Sequence, residues 1–168
     1  MKSSRLYIYH LLTALMPPTR LFAVKRKLLR WAGATIGENV RIVSSAKFLL
    51  TGDLEIGDGT WIGHQVMIVG GGASVRIGCD VDIAPRVTLI TGSHELYNIP
   101  GKAAGQGHSK SISIENGVWI GAASTILGGV RIGKASIVAA GTLVRSNIPD
   151  REIHAGVPNK PIGHGPAF

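Results

Sequence analysis

The residues of this sequence best suited to chemistry lie in the segment Thr91-Gly92-Ser93-His94-Glu95. An imidazole has an unperturbed pKa of about 6.5, so His94 can take a proton from a substrate hydroxyl at neutral pH. Residues 95–111, rich in glycine and lysine, follow His94 and predict a lid loop. We therefore expect a general base at the edge of a rigid element, beneath this loop. The alternative is a corner histidine that hydrogen-bonds to loop backbone.

A histidine base also needs a hydrogen-bond partner on its second ring nitrogen. Three carboxylates are candidates, Glu95, Asp82 and Glu115. Adjacent residues of an extended chain point to opposite sides, which counts against Glu95. Cys79 is the only cysteine, so this chain has neither an internal disulfide nor a cysteine-rich zinc site, and a reducing cytoplasm is the simplest compartment.

A repeat of six residues indicates the element that must hold His94. Large apolar residues recur at every sixth position, with insertions of two, three and 19 residues between blocks. Small or β-branched residues recur four positions later, and Gly or Ala often follows the large residue directly, which permits tight corners. The large positions are Ile36, Ile42, Phe48, Ile56, Ile62, Ile68, Ile77, Ile83, Leu89, Ile114, Ile120, Ile126, Ile132, Val138 and Val144.

A period of six fits neither an α-helix of 3.6 residues per turn nor one long alternating strand. The chain must turn at every repeat, so short strands joined by corners are required. Three repeats form a triangular coil of about 18 residues, and stacked coils place the large residues in a narrow interior. We expect an all-β fold, a parallel β-helix of about five triangular coils over residues 34–162, followed by a tail at residues 163–168.

The pattern resembles the hexapeptide-repeat acyltransferase superfamily, whose fold is a left-handed parallel β-helix; the resemblance alone implies the handedness. Residues 28–37 and 153–161 are similar to the start and the exit of the β-helix in this superfamily. Thr91–Glu95 resembles the segment with the catalytic histidine in the maltose, galactoside and polysaccharide O-acetyltransferase branch. There the histidine deprotonates a hydroxyl that attacks acetyl-CoA directly. The same motif places Glu95 first among the candidates to orient His94.

The resemblance also implies acetyl-CoA as co-substrate, no required metal, and homotrimers with each site between two subunits. Small residues beside the coil edge let CoA approach the backbone in related enzymes, and Trp119 either borders the pantetheine channel or packs against a neighbouring subunit. Many relatives have Thr-Lys where this chain has Arg145-Ser146, and Arg in place of Lys160, so the positive charge is kept but moved. The residues predicted to bind acetyl-CoA are Trp119, Gly121, Ala122, Ala140, Gly141, Arg145 and Lys160.

The formal net charge of +8 is concentrated near the N-terminus, because residues 1–37 hold seven basic residues and no acid. Thr19 is predicted to cap a basic amphipathic helix through Ala32, within an N-terminal helical segment of residues 1–33. This segment either caps the open edge of the first coil or, together with the apolar run Leu6–Met16, rests on an anionic membrane. The run is too short for the roughly 20 residues of a membrane span. The expected location is cytoplasmic, at the inner membrane face in the second case.

The favoured function is acetyl transfer from acetyl-CoA to a sugar hydroxyl of a bacterial surface polysaccharide (O-antigen, capsule or exopolysaccharide) or its precursor. An amino-sugar N-acetyltransferase, a small-molecule acetyltransferase and a non-catalytic trimeric scaffold are the alternatives. A zinc hydrase on the same β-helix would need a His-x4-His pair, and this sequence has none. Nucleic-acid binding is disfavoured because the chain beyond residue 37 is close to neutral.

Overall fold

Two helices precede a triangular prism of short strands in the computed structural model, which describes residues 1–165 apart from the side chain of Asn98. The helices are α1 (Ser3–Ala14) and α2 (Phe22–Trp31). Neither helix in the described part is long and apolar enough to cross a bilayer. The strands are β1 (Thr35–Ile36), β2 (Arg41–Ile42), β3 (Lys47–Leu49), β4 (Leu54–Ile56), β5 (Trp61–Ile62), β6 (Met67–Val69), β7 (Val75–Ile77), β8 (Asp82–Ile83), β9 (Thr88–Ile90), β10 (Gly92–Ile99), β11 (Lys102–Ser109), β12 (Ile112–Ile114), β13 (Trp119–Ile120), β14 (Thr125–Leu127), β15 (Arg131–Ile132), β16 (Ile137–Val138), β17 (Leu143–Val144), β18 (Glu152–Ala155) and β19 (Lys160–His164).

The strands form the three faces of the prism, because every third strand joins the same sheet. Face A contains β1, β4, β7, β12 and β15; face B contains β2, β5, β8, β13, β16, β18 and β19; face C contains β3, β6, β9, β14 and β17. The pairs within a face are parallel and in register, so that Ile36, Ile56, Ile77, Ile114 and Ile132 stand side by side. The exception is β18–β19, which pairs antiparallel at the end of the prism. The predicted β-helix is confirmed.

The interior of the prism is the hydrophobic core. Each of the fifteen large residues of the repeat is at most 5% exposed, which confirms the spacing inferred from the sequence. The smaller residues four positions later are also buried, except Gly72 and Ser93. Both exceptions lie where the chain passes from face C to face A, the corner at which His94 is found.

The N-terminal segment differs from the prediction in having two helices, since the apolar run Leu6–Met16 largely forms α1. The prediction that Thr19 caps the basic helix was wrong, because the N-cap of α2 is Leu21. The chain turns after Pro17-Pro18, and Leu21 adopts a left-handed φ of 56° that ends the turn just before α2. The buried ammonium of Lys25 donates to the carbonyl oxygens of Pro17 (3.1 Å) and Pro18 (2.7 Å), which holds this connection in place.

The basic residues of α2 cap the first coil, as one of the two interpretations of this helix predicted. Arg26 donates to the Val40 carbonyl at 3.1 Å. Arg30 donates to the carbonyls of Ile36 (2.8 Å) and Gly37 (3.0 Å). Carbonyl groups at the open end of a sheet stack would otherwise lack partners, so these cations serve the fold.

Adjacent residues of β8 test this division between interior and surface. Ile83 is fully buried, and Asp82 points outward. We expect Ile83→Ala to lower the free energy of unfolding by about 2–5 kcal/mol, because it leaves a cavity in a narrow core. Asp82→Ala, the matched control, is expected to change it by less than about 0.5 kcal/mol. Denaturant titration measures both, and equal losses would contradict the assignment.

Candidate active site

The long insertion after β9 is an ordered hairpin that leaves the prism at the corner between faces C and A. Strands β10 and β11 pair antiparallel, with Ser93 opposite His108 and His94 opposite Gly107. The segment 95–111, predicted as a lid loop, is therefore largely strand, because its backbone groups pair across the hairpin. His94 lies at the base of the hairpin, close to the rigid coil.

The imidazole of His94 is exposed and is oriented by the hairpin itself. Its Nδ1 lies 2.9 Å from the carbonyl oxygen of Gly105. A carbonyl oxygen only accepts hydrogen bonds, so Nδ1 carries the proton and the lone pair of the neutral ring is on Nε2. This is the tautomer that a general base requires, with Nε2 ready to accept a proton.

The partner of His94 Nδ1 differs from the expected carboxylate. The sequence suggested Glu95, Asp82 or Glu115, and the structure places the Gly105 carbonyl at this nitrogen instead. The physical reason is the antiparallel pairing, which brings the backbone of β11 across from His94. A catalytic role for Glu95 stays a prediction, since this hydrogen bond does not test it.

A cavity of about 500 Å³ surrounds His94, and glycine forms much of its wall. A Cβ at Gly107 would lie 3.5 Å from the Cε1 atom of His94, so the glycine leaves room beside the ring. A Cβ at Gly70 would collide with the hydroxyl of Thr91, which explains glycine at that position. The lining residues are Gly70, Gly71, Gly92, Ser93, His94, Gly107, His108 and Ser109.

The cavity wall contains residues from the hairpin and from the preceding coil. His108 lines the cavity from the hairpin. Gly70 and Gly71 belong to the repeat that begins at Ile68 and were not among the predicted site residues. The three consecutive glycines Gly70–Gly72 could have indicated them, because this run falls one coil before His94 at the same corner of the prism.

The residues predicted to bind acetyl-CoA lie elsewhere in the chain, mainly between faces B and C. Gly121 and Ala122 follow β13, and Ala140 and Gly141 follow β16 one coil later. The two corners stack, since Gly141 N–H donates to the Ala122 carbonyl at 2.8 Å. A Cβ at Gly121 would lie 2.5 Å from the backbone nitrogen of Ala140, so only glycine fits there.

The other predicted CoA residues are on the surface near this edge or at the exit of the β-helix. Trp119 is 53% exposed on face B. Arg145 follows β17, and its N–H donates to Asn159 Oδ1 at 3.2 Å. Lys160 begins β19 and is exposed. In one chain, the stacked corners and His94 therefore lie at opposite edges of face C, whose three-residue strands are roughly 10 Å long.

Face C differs from face A in the character of its outward side chains. Leu49, Val69, Ile90 and Leu127 stand in register along face C, each at least partly exposed. Face A instead carries ion pairs, with Arg76 Nε 2.8 Å from Glu55 and Arg131 Nε 3.1 Å from Glu115. Such a continuous apolar ladder is typical of a surface that another molecule covers.

Other titratable side chains do not extend the site. No cluster of three or more His, Cys, Asp or Glu residues that could hold a metal ion occurs within residues 1–165. His154 is 5% exposed and pairs with Glu152 (2.8 Å) and Asn159 (3.0 Å). It closes the exit of the β-helix, because β18 and β19 fold back on each other around it.

Comparison with known proteins supports the same interpretation. Residues 111–146 match the family described as bacterial transferase hexapeptide (six repeats). The galactoside O-acetyltransferase of Escherichia coli is 35% identical over 138 residues, which cover 82% of this chain and 67% of the relative. The chain is a member of the hexapeptide-repeat acyltransferase superfamily. It spans about 55 to 67% of the length of three curated relatives that share 33 to 37% identity with it.

Solved structures of this superfamily resemble most of the chain. The hexapeptide-repeat acetyltransferase VCA0836 of Vibrio cholerae, complexed with acetyl-CoA, has a TM-score of 0.82 and 28% identity, covering 98% of this chain and 87% of its own. The polySia-specific acetyltransferase NeuO has a TM-score of 0.69 and 27% identity, covering 80% and 62%. The solved structures confirm the left-handed β-helix, and the galactoside O-acetyltransferase relatives together with the CoA-bound structures confirm the class of acetyl-CoA-dependent O-acetyltransferase and acetyl-CoA as co-substrate.

The tautomer of His94 is open to direct measurement. We expect the nitrogen chemical shifts of the neutral ring to show a protonated Nδ1 and an unprotonated Nε2, because only that form donates to Gly105. The measurement is a long-range ¹H–¹⁵N correlation spectrum of the labelled protein at alkaline pH, with His94→Asn to assign the signals. A protonated Nε2 would contradict the geometry described above.

Proposed function

We propose that this protein acetylates a hydroxyl of a saccharide, with His94 as the general base. Nε2 takes the hydroxyl proton while the oxygen attacks the thioester carbonyl of acetyl-CoA. The new C–O bond forms, the C–S bond breaks, and CoA leaves as a thiolate that recovers the proton from the imidazolium. The observation that carries the proposal is the hydrogen bond from His94 Nδ1 to Gly105, which leaves Nε2 as the acceptor.

A hydroxyl is favoured over an amine as the acceptor because of the cavity wall. No carboxylate is among the residues of this subunit that line it, so the wall itself offers no opposite charge to the cation of an amino sugar. Ser93, Ser109 and His108 offer hydrogen-bonding groups of the kind that bind sugar hydroxyls. The relatives named for galactosides and for polySia support a saccharide, and we extend this to a bacterial surface polysaccharide or its precursor.

We propose that the enzyme is a homotrimer with each site formed by two subunits. Two observations support this. His94 and the stacked corners at Ala122 and Gly141 are at opposite edges of face C, and an apolar ladder from Leu49 to Leu127 runs along that face. Subunits that meet at their C faces would bring one edge of each chain beside the other edge of its neighbour. Acetyl-CoA would then contact Trp119, Gly121, Ala122, Ala140, Gly141, Arg145 and Lys160, with His94 and Glu95 supplied across the interface.

Peripheral contact with the inner face of an anionic membrane is also proposed, through α1. Arg5, Lys25, Arg26 and Arg30 bind backbone carbonyls within the protein, which limits their role toward lipid. The support comes instead from apolar side chains on the outer side of α1, with a cytoplasmic location in keeping with acetyl-CoA use. These exposed residues are Tyr7, Ile8, Leu11, Leu12 and Leu15, from 40% to 84% exposed.

Replacement of His94 tests the proposed base. We expect His94→Ala to reduce kcat for acetyl transfer from acetyl-CoA to methyl β-D-galactoside by at least about 100-fold, because general-base catalysis is lost. The affinity for CoA, measured by calorimetry, and the melting temperature should stay unchanged. His64→Ala, at an exposed histidine outside the cavity, is the matched control and should leave kcat unchanged, and Glu95→Gln separately tests the neighbouring carboxylate. Near-normal transfer by His94→Ala would overturn the assignment.

A charge on face C tests the proposed assembly. We expect Leu127→Glu to convert a trimer into monomers, since a carboxylate in an apolar interface loses its hydration. Ser113→Glu places the same charge on face A between Arg76 and Arg131 and should leave the trimer intact. Light scattering gives the mass of each variant. A trimeric Leu127→Glu protein would place the interface elsewhere.

A further inference from the structure

A second cavity lies between α1 and β3, and nothing in the proposed transfer reaction uses it. It measures about 330 Å³ and lies within the size range of small-molecule sites. Ser3, Leu6, Tyr7 and His10 contribute from one side of α1, at the spacing of a single helix face. The opposite wall consists of Phe48, Leu49, Leu50, Thr51 and Gly70.

The lining of this cleft is largely apolar. It contains no acid, lysine or arginine. Burial lowers the pKa of the His10 imidazole, so the ring is neutral near pH 7, and it stacks against Phe48. The cleft therefore offers an apolar ligand a surface of aliphatic and aromatic side chains.

The position of the cleft connects two parts of the molecule already described. Tyr7 lines the cleft from α1 and is 71% exposed, so the cleft adjoins the outer apolar side of this helix. Gly70, in the opposite wall, lines both this cleft and the cavity around His94. An elongated ligand in the cleft would thus have one end at the catalytic histidine and the other at the exposed side of α1.

We propose that the cleft between α1 and β3 binds the apolar chain of an amphiphilic acceptor whose saccharide lies at His94. This rests on the proposed function and narrows its substrate class to saccharides that carry an alkyl or lipid aglycone. The occupant follows from the continuity at Gly70: the cleft adjoins a cavity with polar side chains, so a ligand that fills both has one polar and one apolar end. A ligand with no polar end would occupy only the cleft and would not extend into the cavity around His94.

Two neighbouring serines allow a matched test. Ser3 lines the cleft and Ser4, the next residue of α1, does not. Ser3→Trp would fill the cleft from the helix surface, whereas Ser4→Trp adds the same side chain outside it. The probes are butyl and octyl β-D-galactopyranoside below their micelle concentrations, with binding measured by calorimetry and transfer measured with methyl β-D-galactoside.

We expect the unaltered protein to bind the octyl glycoside at least about tenfold more tightly than the butyl glycoside, since each methylene that is buried strengthens binding severalfold. Ser3→Trp should abolish this preference and Ser4→Trp should retain it, with unchanged melting temperatures. Equal affinity for both glycosides, or an unchanged preference in Ser3→Trp, would overturn the proposal. If the unaltered protein does not acetylate methyl β-D-galactoside, the proposed reaction is contradicted. The difference in affinity between the octyl and butyl glycosides tests the cleft independently of that result.

Discussion

In-register stacking of short parallel strands is the constraint on which the rest of the structure depends. A strand of two or three residues has too few hydrogen bonds to be stable alone, so each coil relies on the coils above and below it. Ile36, Ile56, Ile77, Ile114 and Ile132 keep the same register through face A, and equivalent columns fill the other faces. The six-residue spacing of the inward-facing residues must be kept along each strand, so insertions are tolerated only at the corners.

The candidate site follows from that tolerance. The largest insertion leaves the prism between faces C and A, where it folds into its own hairpin and supplies a carbonyl to orient His94. Because the coil beneath is rigid, the base of the hairpin holds the histidine in a defined position. Glycines at this corner keep side chains away from the ring, so the cavity is bounded largely by backbone.

The two helices solve a separate problem, the open end of the stack. Arg26 and Arg30 bind carbonyls of the first coil, and α1 covers β3, where Tyr9 meets Phe48 edge to face. Two of the four basic residues of α2 thus cap the first coil, and a third, Lys25, holds the connection before the helix. The outer side of α1 has no such internal explanation, which is why its apolar residues and the cleft beneath them bear on the acceptor.

The sequence by itself determined the β-helix, its coil boundaries and the histidine before the main insertion. It could do so because the six-residue period is a local property and the same pattern recurs in every repeat. It also identified the corners at Gly121, where a Cβ would collide with backbone, and at Gly141, whose positive φ favours glycine. The partner of His94, the start of α2 and the buried state of His154 were decided only by tertiary structure. Each depends on a contact between residues that the chain brings together by folding back: Gly105 across a hairpin, Lys25 onto Pro17 and Pro18, and Asn159 onto His154. Such contacts have no period, so residue types and spacing do not encode them.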